Sequence, residues 1–222
     1  WILASNTSGG LFKKPNPIHV DTLVTYIMRD MQAYTTGRPI PPESQTYYNQ
    51  MLPIFEQVRQ QNTQHAFYHS VLSSLLRRLD QMDKALEYAQ LGYKLQPHHL
   101  TALMLALVYR EQRDFQTSMQ WYKKTLEFSP TDVSLHLDIG DLYIQMQQRA
   151  DGIDYYRRAM RYEPDQPWAT PHYYYYSYFE ENDNQHLADL KAYCDKFPDN
   201  ELASHLYQRI QDHLHRKPYV NY

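Results

Sequence analysis

Five tyrosines and a phenylalanine fall between positions 173 and 179, inside the stretch PHYYYYSYFEEN of residues 171–182. Rings at that density could stack on the bases of RNA or the sugars of a glycan while their hydroxyls hydrogen-bond. They could equally fill the space between packed helices. Eleven histidines raise a second possibility, metal binding. His65 and His69 sit four apart, and His213 and His215 two apart. Neither pair has the glutamate of an HExxH arrangement or a third ligand at a fixed distance, so both read as structural or solvated histidines. Cys194 is the only cysteine, which excludes a disulfide framework and a cysteine-based zinc site. A nucleophilic role would need a positioned histidine, and Cys194 reads as a small residue on a helix. There is no glycine-rich phosphate loop, no GxSxG elbow and no recognisable acid pair. The expectation is a chain that is not an enzyme and needs neither metal nor cofactor.

What, then, must hold the rings? The chain has 222 residues, 42% of them hydrophobic, yet its mean hydropathy is -0.74. That pairing suits a helical array with much polar surface better than a compact globule. Six glycines are few for a protein with many tight strand-to-strand turns. The formal charge is -3 with acids and bases interspersed, so attraction to nucleic acid or to a membrane surface is not expected. No apolar run approaches the roughly 20 residues of a membrane span. The chain opens on Trp1 and reads as a processed chain or a piece of something longer. Cytoplasm and periplasm both remain open, as does a membrane tether in a segment beyond the chain.

The elements announce themselves through punctuation. Pro97, Pro130, Pro164 and Pro198 recur at intervals of 33, 34 and 34 residues. Each closes a run of similar texture: ALEYAQLGYKLQP, SMQWYKKTLEFSP, GIDYYRRAMRYEP and HLADLKAYCDKFP. Proline just past a helix end cannot continue the helix, so the four prolines mark the same joint.

Between these joints the sequence resembles the tetratricopeptide repeat, with its W-x2-L-G-x2-Y, A-x3-F and P pattern. The best copy carries His136, Ile139, Gly140 and Tyr143, then Gly152, Tyr156, Ala159 and Pro164. The copy before it offers Ala102, Leu105, Ala106 and Tyr109, then Ser118, Tyr122, Thr125 and Pro130. An earlier one has His69, Leu72, Ser73 and Leu76, then Ala85, Ala89, Gly92 and Pro97. Ser73, Ala106 and Gly140 are small where the two helices of a hairpin approach most closely. In the fourth copy, counting back from Pro198 puts Tyr174 at that crossing. A slip of three residues puts Ser177 there instead, with Tyr173 and Tyr176 packing, and leaves the crossing unstrained. The resemblance implies an all-α fold, a right-handed superhelix of about four antiparallel helix hairpins.

The expected organisation is a flexible lead-in at 1–14, a degenerate helical hairpin or cap at 15–64, repeats at 65–200, and a capping helix with a tail at 201–222. NPIHVDTLVTYIMRDMQAYTTG reads as the first helix of the cap, and ESQTYYNQMLPIFEQVRQQ as the second, kinked or broken at Pro53.

On the same resemblance, first-helix residues that face neither neighbour point into a concave groove. They are Ser70, Ser74 and Arg77, then Leu103, Leu107 and Arg110, then Leu137, Asp141 and Ile144, with Tyr178 and either Tyr174 or Tyr175 from the fourth copy. Such a groove is apolar and aromatic with arginines at one end, suited to a protein or peptide partner with apolar anchors and an acid. The two-carboxylate clamp that binds chaperone tails in this family is missing, because Ser70, Ser74, Met104, Ser134 and Asp138 occupy its positions. The leading expectation is a non-catalytic interaction module or scaffold. The alternative is a soluble appendage of a larger enzyme, for example a bacterial membrane-embedded glycan-handling transferase.

Overall fold

Ten helices and no strand make up the described part of the chain, residues 42–216 of a computed structural model. The first helix of the expected N-terminal cap and the tail after 216 lie outside the described residues. The chain divides into two units, residues 1–96 and 97–222. In the first, α1 (Pro42–Val58) is followed by a short 3-10 turn (Arg59–Gln61), α2 (Ala66–Arg78) and α3 (Met82–Leu95). The second contains α4 (His99–Glu111), α5 (Phe115–Phe128), α6 (Val133–Gln145), α7 (Arg149–Tyr162), α8 (Ala169–Glu181), α9 (Asn184–Lys196) and α10 (Glu201–Arg216). Pro53 lies inside α1 and does not end it.

Each hairpin is built by the same local devices. The short turn between its helices passes through one left-handed residue: Asp80, Arg113, Gln147 and Asn182, with φ between 53° and 63°. At the first three, the next amide reaches back to close the helix, as Gln81 N–H does to the Leu76 carbonyl, Asp114 to Tyr109 and Gln148 to Tyr143, all at 2.9 Å. This is the Schellman closure, usually given to glycine. Here side-chain-bearing residues hold it, which is how the chain forms so many turns with so few glycines. Side-chain oxygens of Asp114, Asp132 and Asp183 cap the N-termini of α5, α6 and α9. The loop ahead of α2 and α6 is tied by a histidine. His69 Nε2 donates to the Thr63 carbonyl at 3.0 Å, and His136 Nε2 to the Pro130 carbonyl at 2.9 Å. Ahead of α8 the Thr170 hydroxyl does this, donating to the Pro164 carbonyl at 3.0 Å.

Where the helices of a hairpin cross, three solutions appear. Ser73 of α2 donates to the Ala85 carbonyl of α3 at 2.7 Å, and Ser118 of α5 donates to the Ala106 carbonyl of α4 at 2.8 Å. In both, a buried hydroxyl is satisfied by the facing backbone, so nothing polar is stranded. The α6–α7 pair uses glycine on both sides. A Cβ on Gly140 would lie 2.8 Å from the Tyr156 ring, and one on Gly152 would lie 2.7 Å from Ile144.

In the fourth hairpin the position along α8 and the loop contact point to different registers. Ser73, Ala106 and Gly140 are each the eighth residue of their helix, and the eighth residue of α8 is Tyr176. His69, His136 and His172 agree, each being fourth. Thr170, which takes over the contact that His136 makes to Pro130, lies four residues before Tyr174 as His136 lies four before Gly140, and this agrees with the count from Pro198. Tyr176 itself turns onto the preceding hairpin, its ring lying parallel to Tyr156 at 6.2 Å.

Two outcomes test this fold. Gly140→Leu should destabilise the chain by roughly 1–3 kcal/mol, because the Tyr156 ring already occupies the space. An unchanged denaturation midpoint would contradict the crossing. Gln147→Gly should stabilise by about 1 kcal/mol, since glycine adopts a positive φ without the strain of a side chain. A lower midpoint would mean that Gln147 contributes something beyond its backbone angle.

Candidate functional site

The second unit carries a polar seam that crosses three hairpins. Arg110 near the end of α4 reaches Asp138 of α6 at 3.1 Å, with both side chains about one-sixth exposed, and contacts the Tyr122 hydroxyl of α5 at 3.4 Å. One turn further along α6, Asp141 accepts from the Tyr156 hydroxyl of α7 at 2.6 Å and from the Trp168 indole N–H at 3.2 Å. Asp138 and Asp141 are three apart, which places both carboxylates on one face of α6. Burial on its own would lower the Arg110 pKa, but Tyr122, Asp138 and Asp141 outweigh it and raise it above the ordinary value. Arg110 is therefore a fixed cation committed to internal partners.

Around this seam the rings stack. Tyr156 is buried, and its phenol is pushed above its ordinary range by that burial and by Asp141. His172 lies nearly parallel to it at 5.4 Å and to Tyr176 at 5.9 Å. Trp168 tilts against His172 at 4.8 Å. The His172 ring also hydrogen-bonds the Trp168 carbonyl through Nδ1 at 2.9 Å. The loop is held in turn by Gln166, whose side-chain oxygen accepts from the amides of Trp168 at 2.6 Å and Ala169 at 2.5 Å.

The expected groove residues separate into distinct groups. Leu103, Leu107 and Leu137 are half-buried, the first two against Ala106 and its neighbours, the third beside Tyr156. Arg77 is half-buried in the first unit, where Ser70 and Ser74 are buried and line no open surface. Arg110 and Asp141 point into the seam just described rather than standing free for a ligand. Ile144 packs onto Gly152 across its own hairpin. Tyr175 and Tyr178 are corrected outright as open-groove residues. They are 7% and 6% exposed, clustered with Leu190, Tyr193, Ala203, Leu206 and Ile210. The cause is the packing of α9 and α10 against them, and the Arg209 guanidinium of α10 lies 5.3 Å from the Tyr175 ring centre.

Tyr173, at the α8 position matching Leu103 and Leu137, is half-buried with the Arg157 guanidinium 5.4 Å over its ring. The tyrosine run is thus shared among three surfaces: Tyr175 and Tyr178 toward α9 and α10, Tyr176 toward Tyr156, and Tyr173 toward Arg157. Trp168, His172 and Asp138 were not singled out as site residues. Trp168 and His172 sit around the start of α8, where a histidine three residues past the helix start repeats the His69 and His136 signal. Among the described residues no group of three or more histidine, cysteine, aspartate or glutamate side chains is placed to hold a metal ion. None of their helices is long and apolar enough to cross a membrane.

Residues 101–132 and 133–166 match the tetratricopeptide repeat family. Part of the chain is 30% identical over 86 residues to the BBSome complex member BBS4 of Bos taurus, covering 39% of this chain and 17% of that protein. The Mus musculus protein of the same name is 36% identical over 67 residues, 30% of this chain and 13% of its own length. The chain thus spans less than a fifth of these relatives. Among solved structures, MamA superposes with a TM-score of 0.61 at 11% identity, covering 73% of this chain and 96% of its own. YrrB, described as a TPR protein with an unusual peptide-binding site, gives 0.59 at 12% identity over 83% of this chain and 99% of its own. At these identities the likeness is one of fold: an all-α array of antiparallel helix hairpins.

Two measurements follow from the site. Tyr178→Ala should cost stability, about 3 kcal/mol or more as for other buried aromatics, whereas Tyr173→Ala should cost less than half as much. Equal losses would contradict the burial described. The second concerns acid. His69, His99 and His172 all have pKa values lowered chiefly by burial, so folding favours their neutral forms. Their contribution is intact above the unfolded value of about 6.5 and is lost as pH falls through the folded values. Urea midpoints should therefore drop between pH 7.5 and pH 5.5, and the drop should shrink in His172→Phe. A flat profile would exclude the effect.

Proposed function

We propose that this chain, a tetratricopeptide-repeat protein, is a non-catalytic interaction scaffold whose second unit holds a partner peptide through apolar side chains on successive first helices. The observation that carries this reading is the placement of Leu103, Leu107 and Leu137. All three are left partly open, at positions five and nine of α4 and position five of α6. Position five of α8 is Tyr173, also partly open. A peptide lying across these helices would meet apolar contacts repeated from one hairpin to the next, the pattern that an amphipathic helix or an extended segment with regular anchors can match. Large apolar side chains at the centre of a contact supply most of its energy.

The charged part of the earlier expectation changes. Arg110 is already neutralised by Asp138 and tied to Tyr122, so breaking that pair to hold a ligand acid would cost more than an exposed arginine would. The peptide recognised here is accordingly apolar in its contacts rather than acidic. Support comes also from the neighbours. YrrB is described as peptide-binding, and BBS4 as a member of a complex.

The test is a peptide-display selection on the folded 222-residue chain, followed by affinity measurements on the enriched peptides. Leu107→Arg and Leu137→Arg should each weaken binding by about tenfold or more, the scale of an interface anchor. Arg110→Gln should act mainly on stability. Retained affinity in both leucine variants, with their melting unchanged, would refute the groove.

A further inference from the structure

A cleft of about 350 Å³, lined by residues of α5, α6 and α7 and the loop before α6, shares no residue with the leucine strip. Leu126 and Pro130 supply an apolar side. Tyr162 forms an edge, 51% exposed, and Phe128, two residues from Leu126, is 42% exposed. Among the described residues these are the two most exposed large hydrophobic side chains. A half-exposed ring at the rim of a cavity offers apolar surface to a ligand.

The charges on the walls are unequal in kind. Asp154 is covered by Arg158, which grips it through Nε at 2.8 Å and a terminal nitrogen at 2.7 Å, and Arg158 also lies over the Tyr155 ring at 4.7 Å. That pair is closed. Arg161, one turn on, lines the cleft with no ion pair or hydrogen bond to another described residue. His136 lies at the wall, 5% exposed, with Tyr162 stacked nearly parallel at 5.7 Å. Its Nε2 donates to the Pro130 carbonyl and its Nδ1 is shut off from solvent, so the ring supports Tyr162 rather than offering a ligand a polar atom.

We propose that this cleft is a second docking site, which takes a segment of a partner protein carrying a large apolar residue beside an acidic one. The apolar side chain enters between Leu126, Pro130 and the Tyr162 ring, and the carboxylate meets the Arg161 guanidinium. Three features select this occupant. The volume lies within the range of ligand sites and suits one or two side chains rather than a whole helix. The unmatched charge is positive. An inorganic anion would offer Arg161 an acceptor but leave the exposed Tyr162 ring bare, whereas a peptide brings a carboxylate and an apolar side chain together. Arginine and tyrosine are also the side chains on which interface energy concentrates. This site stands independently of the leucine strip proposed above.

The test pans a displayed library of random nonapeptides on the full chain, then measures each enriched, fluorescein-labelled peptide against four variants. One class of peptides should pair a large apolar residue with an adjacent acid. Its affinity should fall about tenfold or more in Arg161→Glu and in Tyr162→Ala, recover partly in Arg161→Lys, weaken with added salt, and stay within twofold in Leu107→Arg. Both cleft residues are exposed, so melting should not change. Three results would overturn the proposal: no enriched peptide sensitive to Arg161, Arg161-sensitive peptides with no acidic preference, or all peptides lost in Leu107→Arg and retained in Arg161→Glu. The last would leave the leucine strip standing alone. Arg161-dependent self-association, or displacement of the peptide by residues 1–41 supplied as a free segment, would assign the cleft to the chain itself and also refute it.

Discussion

A single carboxylate organises the second unit. Asp141 receives the hydroxyl of Tyr156 from its own hairpin and the indole N–H of Trp168 from the loop that leads into the next. A partly buried carboxylate needs donors, and hydrogen bonds to a charged group are stronger than those between neutral partners. Here the donors come from both sides of a joint between repeats. The Tyr156 ring then serves as the surface against which His172 and Tyr176 lie. The lack of a side chain at Gly140 is what makes room for that ring. The seam that could pass for a ligand-binding cluster is in this account the fastening between neighbouring hairpins.

Such a fastening matters in a repeat protein because each hairpin is stabilised chiefly by those beside it. Arg110 and Asp138 join α4 to α6, and Asp141 and Trp168 join α6 to the start of α8. The last hairpin is finished differently. Large residues, Tyr193 among them, stand on α9 where earlier repeats carry small ones and, with α10, cover the rings that would otherwise be bare. Two surfaces remain partly open after these needs are met: the leucine strip on α4 and α6, and the cleft beside Arg161. Interaction with other proteins is a property to be sought there and at Tyr173, not at the buried Tyr175 and Tyr178.

The repeat architecture was legible because it rests on local chemistry that leaves marks at a fixed period. Prolines stop the second helices, and small residues at Ser73, Ala106 and Gly140 mark the crossings. The site was less legible, for two reasons. Position on a helix tells which way a side chain leaves the axis but not what arrives to cover it. Tyr175 and Tyr178 were expected to be open, and α9 and α10 bury them. The register of α8 was also hard to read, because Thr170 stands where earlier copies carry the loop-tying histidine and no small residue follows it four positions on. Trp168 acts on Asp141 from 27 residues away, a pairing that no period reveals.

The claim that Asp141 fastens the repeats through Tyr156 is tested most directly by a double-mutant cycle. Tyr156→Phe, Asp141→Asn and the double variant would be compared with the wild type by urea denaturation at neutral pH. Phenylalanine keeps the stacked ring, and asparagine keeps the shape, so the cycle isolates the hydrogen bond to the charge. The account predicts a coupling energy of about 1.5–3 kcal/mol, the range for a hydrogen bond to an ionised partner. Additive effects, with coupling near zero, would contradict it and reduce Asp141 to a polar residue that happens to lie beside a tyrosine.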